Sequence, residues 1–350
     1  MFFLLHKAFP LGLALISTHA AWAFGNEEIP AGESQATQQI AQMVEEDVRA
    51  EAKNGPARRD AHPKAHGCVQ AEFRVLPDLP EAMRVGLFAQ VRSYPAWIRY
   101  SNASGKAQND SVGDARGMAV KLMGVEGSES GTQDFLMINH PVFFVRNAAD
   151  YVEFQKSLSA GSPVKFFFPG MNPLNFRLHE FGVARAIKGK DVANLLDSRY
   201  WSTTPYRFGD TAMKFSARPC GPASAFAATA TPDFLRENLR EHLASKEACF
   251  DFQVQLQKLP GEMPIEDPTV EWSQKDSPFI NVGRIIIPAQ TFLSAKQLNF
   301  CENLSFTPWH SIPEHQPLGG INRVRKTVYD TVSRVRHALN GEQRREPANF

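Results

Sequence analysis

The sequence predicts an α+β fold organised around an antiparallel sheet or barrel. Three features carry this expectation. Strand-like segments with alternating apolar residues follow an N-terminal helix, helical segments intervene, and a second group of strands precedes a terminal helix. Neither βαβ alternation nor an internal repeat is visible.

The first element, "MFFLLHKAFPLGLALISTHAAWAFG", is an apolar run ending in "AWA", with small residues placed for cleavage after Ala23. Residues 1–23 are therefore expected to be an export leader, making the protein periplasmic or secreted. Pro10 interrupts the run, and no later segment reaches roughly eighteen apolar residues, so stable membrane insertion is not expected. Residues 24–340 are expected to form one domain, and 341–350 a polar, frayed tail. "ESQATQQIAQMVEEDVRAEAKNGP" is an amphipathic helix with Ile40, Met43, Val44 and Val48 inward and a stop at Asn54-Gly55-Pro56. "CVQAEFRV" alternates Val69, Ala71, Phe73 and Val75, and "PAWIRYS" and "GMAVKLMGV" read similarly as strands. Helices follow at "NAADYVEFQKSL", capped by Asn147, and "TPDFLRENLREHL", with Thr231 as N-cap and Pro232 as its first residue. "ACFDFQVQLQKL" and "NVGRIIIP" return to strand, and "PLGG" is a turn before the terminal helix.

Composition narrows the function. With 38 basic against 37 acidic residues the net charge is +1, which argues against nucleic-acid binding through charge. Cys68, Cys220, Cys249 and Cys301 form no CxxC pair; in an exported chain they allow three complete disulfide pairings. No HExxH, GxSxG, P-loop or dinucleotide fingerprint occurs. His62 and His66 have helical spacing, but Pro63 and Gly67 oppose a helix, so a zinc pair is not expected.

The terminal segment "INRVRKTVYDTVSRVRHALN" places Arg325, Tyr329, Val332 and Arg336 on one stripe, beside an apolar stripe of Val324, Val328 and Val335. A phenol titrates near pH ~10, and an arginine one turn away favours its anion. Such a pair suits a ligand to ferric haem iron. The plainer reading is a helix packed through its tyrosine, with its arginines in solvent. Most of the 26 phenylalanines, including those in "VKFFFPG", belong to an ordinary core, although a large flat ligand needs aromatic walls of this kind. "SRYWSTTPYRFG" also holds tyrosines, but Leu196 stands one turn before Tyr200, and the segment fits a barrel strand better.

Taken in order, several segments resemble the haem catalase superfamily, from about residue 55 to 336. "RDAHPKAHG" is similar to R-x-x-H-A-[KR]-G, "IRYSNASG" to the R-[FY]-S strand, and "SVGDARGMAVKL" to D-P-R-G-F-A-x-K through Asp114, Arg116, Gly117 and Lys121. "MINHPVFFVRN" resembles N-x-P-x-F-F-x-R, and "DPTVEWSQKDSPFINVGRIII" resembles the family's D-x-T-x-x-W…V-G segment. "FTPWHSIPEHQPLGGINRVRKTVYDTVSRVR" is similar to F-x-P…P-G…R-x-x-x-Y-x-x-x-x-x-x-R.

The resemblance implies an antiparallel β-barrel of the catalase type with surrounding helices, and a haem b cofactor with ferric iron. Tyr329 would be the metal ligand, supported by Arg325, as in the tyrosine-ligated haem of catalase. His62, Asn139 and Ser101 would be catalytic. Arg59, Arg99 and Arg336 would meet the propionates, Phe144 would stack on the macrocycle, and Arg323 and Arg334 would face solvent. The implied activity is a hydroperoxidase that reduces or dismutates hydrogen peroxide, and possible organic hydroperoxides, through an oxyferryl intermediate, with an unknown electron donor and an open question of homo-oligomerisation. The alternatives are fatty-acid hydroperoxide rearrangement of the allene oxide synthase type and a non-enzymatic haem binder. Thr331 and Val332 stand where the family has Asp and Thr, and Pro63 where it has Ala. The chain ends soon after Tyr329, so the resemblance points to a minimal member, similar to the catalase-related peroxidases and without the C-terminal helical extension of large catalases.

Overall fold

The computed structural model describes residues 27–59, 61–344, 346–347 and 350. The expected leader, residues 1–23, lies outside them. Nine strands are present among the described residues: β1 (Ala65–Val75), β2 (Ser93–Asn102), β3 (Arg116–Met123), β4 (Thr132–Ile138), β5 (Tyr200–Trp201), β6 (Tyr206–Phe208), β7 (Thr211–Pro219), β8 (Ala248–Leu256) and β9 (Ile280–Ile287). All pairings are antiparallel. The order β5-β4-β3-β2-β1-β9-β8-β7, with β5 also paired to β7, closes eight strands into a barrel, while β6 forms a hairpin on β7. The helices are α1 (Glu33–Glu51), α2 (Ala148–Ser159), α3 (Val164–Phe167), α4 (Leu178–Lys188), α5 (Phe234–Leu243), α6 (Ala295–Asn303) and α7 (Gly320–Asn340).

The alternation read from the sequence decides which residues fill the barrel. Val69, Ala71, Phe73 and Val75 point inward, as expected, and meet Phe135, Phe215 and Phe252. The Phe135 ring lies 4.7 Å from Phe252 and 5.0 Å from Phe215. A barrel filled this way is a packed core. Any large ligand must therefore sit outside it. The pleat turns Arg99 and Ser101 of β2, Gly117 and Ala119 of β3, and Leu136 and Ile138 of β4 to that outer face.

Over this face lies α7, backed by α1 and α2. Ile40 and Val44 of α1 pack with Val152 of α2 and with Val324 and Val328 of α7. Met43 is only half-buried; Ala41 takes the inward place instead. The Asn147 side chain caps α2, accepting from Asp150 N at 3.0 Å. At α5 the expectation fails: the helix begins at Phe234, and Thr231 instead donates to Glu237 at 2.6 Å.

Arg323 does not face solvent. It donates to Glu33 and Glu27 at 2.6 Å each and to Glu266 at 2.8 Å, fastening the start of α7 to α1. Arg334 is exposed, as expected. The tail is also less free than its composition suggests, since Glu346 lies 2.8 Å from the buried Lys121. The cysteines pair as Cys68–Cys301 and Cys220–Cys249, each with a Cα separation of 5.6 Å. The first bond fastens α6 to β1. Among the described residues no helix is long and apolar enough to cross a membrane.

Candidate active site

Between the outer face of β2–β4 and α7 runs a cavity whose walls include His62, Arg99, Ser101, Arg325, Tyr329 and Arg336. These residues are far apart in sequence.

His62 lies in the loop before β1 with φ of 61°, an uncommon value for a residue with a Cβ. Its backbone N donates to Ala103 O at 3.3 Å, and its carbonyl accepts from Arg99 Nη2 at 2.7 Å. Ser101 Oγ lies 2.9 Å from its Nδ1, leaving Nε2 free for other chemistry. Only glycine fits beneath the ring, because a Cβ on Gly117 would lie 2.8 Å from Nδ1. Gly117→Ala is therefore expected to tilt the imidazole and slow any reaction that uses its Nε2 as a base at least tenfold. Circular dichroism should stay unchanged, and an unaltered rate would refute the positioning role.

Burial, followed by the charges of Arg99, Arg325 and Arg59, brings the His62 pKa down to about 3. The ring is thus neutral at physiological pH and available as a base. An ordinary imidazole titrates near pH ~6.5. The unfolded chain would bind this proton first, so the contribution of His62 to stability is intact above that pH. It declines as pH falls towards 3. Turnover is expected to pass through pH 6.5 without the inflection of a normal histidine, which a pH–rate profile would check.

Two guanidiniums share one carboxylate at the far end, and Arg99 lines the same cavity. Glu302 Oε1 accepts from Arg59 Nη1 at 3.1 Å and from Arg336 Nη1 at 3.0 Å. Arg59 also donates to Leu304 O at 2.5 Å, and Arg336 to Glu302 O at 2.6 Å. Arg99 and Arg336 are 4% and 2% exposed, and their buried Nε atoms lack hydrogen-bond partners. Burial, with Arg59 next, holds the Arg99 pKa well below its usual value. Buried cations with unpaired donors are costly, and a ligand carrying carboxylates would relieve them.

On α7, Arg325 Nη1 donates to Thr204 Oγ1 and Asn322 Oδ1, both at 3.1 Å, which holds it one turn from the half-buried Tyr329. The guanidinium carbon lies 5.5 Å from the centre of the Phe143 ring.

Two expected residues are not on the wall. Asn139 follows the end of β4, and its Oδ1 accepts from Arg116 N at 2.8 Å. Its neighbour Ile138, paired in register with Gly117, takes the cavity position, because the pleat sends adjacent residues to opposite sides. Phe144 packs away, its ring 4.8 Å from Phe154, whereas Phe143 and Tyr151 line the cavity. The pair "FF" gave no means of choosing between its members. Tyr151 follows the Asn147 cap by one turn, a signal that could have placed it. Nothing in the polar run around Glu302 marked it.

The remaining candidates lie elsewhere. The Tyr200 hydroxyl donates to Leu195 O at 2.8 Å within the core. His66 Nε2 lies 2.8 Å from Asn102 Oδ1. Among the described residues no group of three or more His, Cys, Asp or Glu is arranged to hold a metal ion.

A family model described as Catalase matches residues 30–165. Over that stretch the chain is similar to the haem catalases. Catalase-A of Dictyostelium discoideum is 24% identical over 272 residues, covering 69% of this chain and 52% of that protein. A catalase of the Onchocerca volvulus endobacterium is 24% identical over 302 residues, covering 77% and 59%. The chain thus spans between half and three fifths of the length of these relatives. Its fold matches a crystal structure of a fungal catalase, with a TM-score of 0.68 at 17% identity, covering 87% of this chain and 64% of that one. A bacterial catalase structure matches with a TM-score of 0.64 at 17% identity, covering 99% and 70%.

The donor set fits the cofactor usual in this superfamily. The arginine cluster matches a dianion, Phe143 and Tyr151 offer aromatic walls, and Tyr329 offers an oxygen ligand from α7.

Proposed function

We propose that the protein is an exported, haem-dependent hydroperoxidase acting on hydrogen peroxide and organic hydroperoxides. The observation that carries this reading is one cavity that joins a neutral, half-buried His62 to Tyr329 and to Arg59, Arg99 and Arg336, two of which share the Glu302 carboxylate. Tyr329 would hold the iron of haem b, with Arg325 one turn before it on α7, and Arg59, Arg99 and Arg336 would hold the propionates. The bound ferric haem would supply the electrons that cleave the O–O bond.

His62 Nε2 takes the proton of the incoming peroxide oxygen and returns it to the leaving oxygen, while Ser101 keeps the ring oriented through Nδ1. Ile138 gives the cavity wall an apolar surface. Leu136, Ala119 and Val324 extend that surface. This favours oxidation of an organic donor over dismutation of a second hydrogen peroxide, and it suits hydroperoxides with apolar substituents. Two disulfides support an oxidising compartment.

The test is to load the purified protein with haem, record its spectrum, and add hydrogen peroxide or cumene hydroperoxide with a chromogenic donor. A tyrosinate-type ferric spectrum is expected, with dye oxidation exceeding oxygen release. Neither signal appearing would overturn the reading.

A further inference from the structure

Twelve large apolar side chains are exposed among the described residues, and five of them fall between residues 158 and 178. Leu174 is 92% and Met171 75% exposed, with Val164 and Leu178 beside them in the sequence. A cluster of this kind is unusual on a surface that meets only water.

The segment is built to hold these side chains out. Behind it, the Phe168 ring packs 5.0 Å from both Phe176 and Phe181, and Arg177 donates to Phe166 O at 2.7 Å and to Asp150 at 3.2 Å. Gly170 and Met171 follow one another at φ of 59° and 55°. For methionine this left-handed conformation is uncommon, and here it presents the side chain to solvent.

The exposed charge within the segment is basic. Lys165, Arg185 and Lys188 are exposed, while the one acidic residue between 154 and 190, Glu180, is buried and paired with Arg146 at 2.9 Å. A two-fold contact with a second copy would set this cationic surface largely against itself, since the exposed acids Glu153 and Asp191 lie only at its edges. Apolar side chains ringed by cations instead match an anionic lipid surface.

We infer that residues 164–188 form a docking surface for anionic membranes, with Val164, Met171, Leu174 and Leu178 entering the headgroup region. The same aromatic cluster reaches inward to Phe143 and Tyr151, which line the cavity. Where the peroxide reading holds, and resting on it, the substrates brought to this surface would be hydroperoxides of membrane lipids.

Vesicle binding is read without turnover, so its failure is separable from failure of the peroxide reading. The purified protein is mixed with phosphatidylcholine vesicles that contain or lack phosphatidylglycerol, and floated at low and high salt. Binding to the anionic vesicles is expected, falling about tenfold in high salt and about tenfold in the double variant Met171→Asp, Leu174→Asp, whose circular dichroism should match the parent. Absence of binding to either vesicle would overturn the inference. So would equal binding by the double variant, or a variant whose only change in sedimentation is loss of a dimer.

Discussion

Replacing Tyr329 by phenylalanine is expected to leave the fold intact and remove haem from the protein. The two side chains differ only in the hydroxyl, and Tyr329 is half-buried, so the cost in stability should be below about 1 kcal/mol. The substitution deletes the oxygen that α7 offers to the cavity. Arg325 would stay in place, because Thr204 and Asn322 hold it independently of the phenol. The Soret band of protein purified after haem loading should fall at least tenfold relative to the parent, with circular dichroism unchanged. A normal Soret band at full occupancy would refute the ligand assignment.

His62→Ala should separate binding from chemistry. The arginine cluster and Tyr329 do not depend on the imidazole, so haem should be retained. Loss of a positioned base typically lowers the rate about 10²–10⁴-fold, and O–O cleavage should slow by that factor. Stopped-flow spectra after peroxide addition would measure it. Ser101→Ala should have a smaller effect, since it removes only the partner of Nδ1. An unchanged rate in His62→Ala would exclude the residue as the base.

The barrel was legible because period-two alternation survives wherever one face of a strand is buried, as in Val69 to Val75. The α7 stripe was legible because 3.6-residue periodicity puts Arg325, Tyr329 and Arg336 on one side whatever surrounds them. What stayed open was the choice between adjacent residues at strand ends. Asn139 against Ile138, and Phe144 against Phe143, depend on where the pleat stops. That is set by register with Gly117, not by side-chain type. Arg323 was misread for a different reason. Its partners Glu27, Glu33 and Glu266 lie 296, 290 and 57 positions away, beyond any local pattern. Glu302 was invisible on the same grounds.

The barrel is a hoop with one short link. β5 contributes two residues, joined to β4 through Ile138 and Trp201 and to β7 through Tyr200 and Trp201. Ile138 on one side of that link, and Ser202 and Thr203 just beyond it, are also cavity walls. A rigid disc held between them and α7 would span the joint as a brace. Opening of the hoop and loss of the disc then become one linked equilibrium, in which whatever fills the cavity also determines how firmly the barrel is closed.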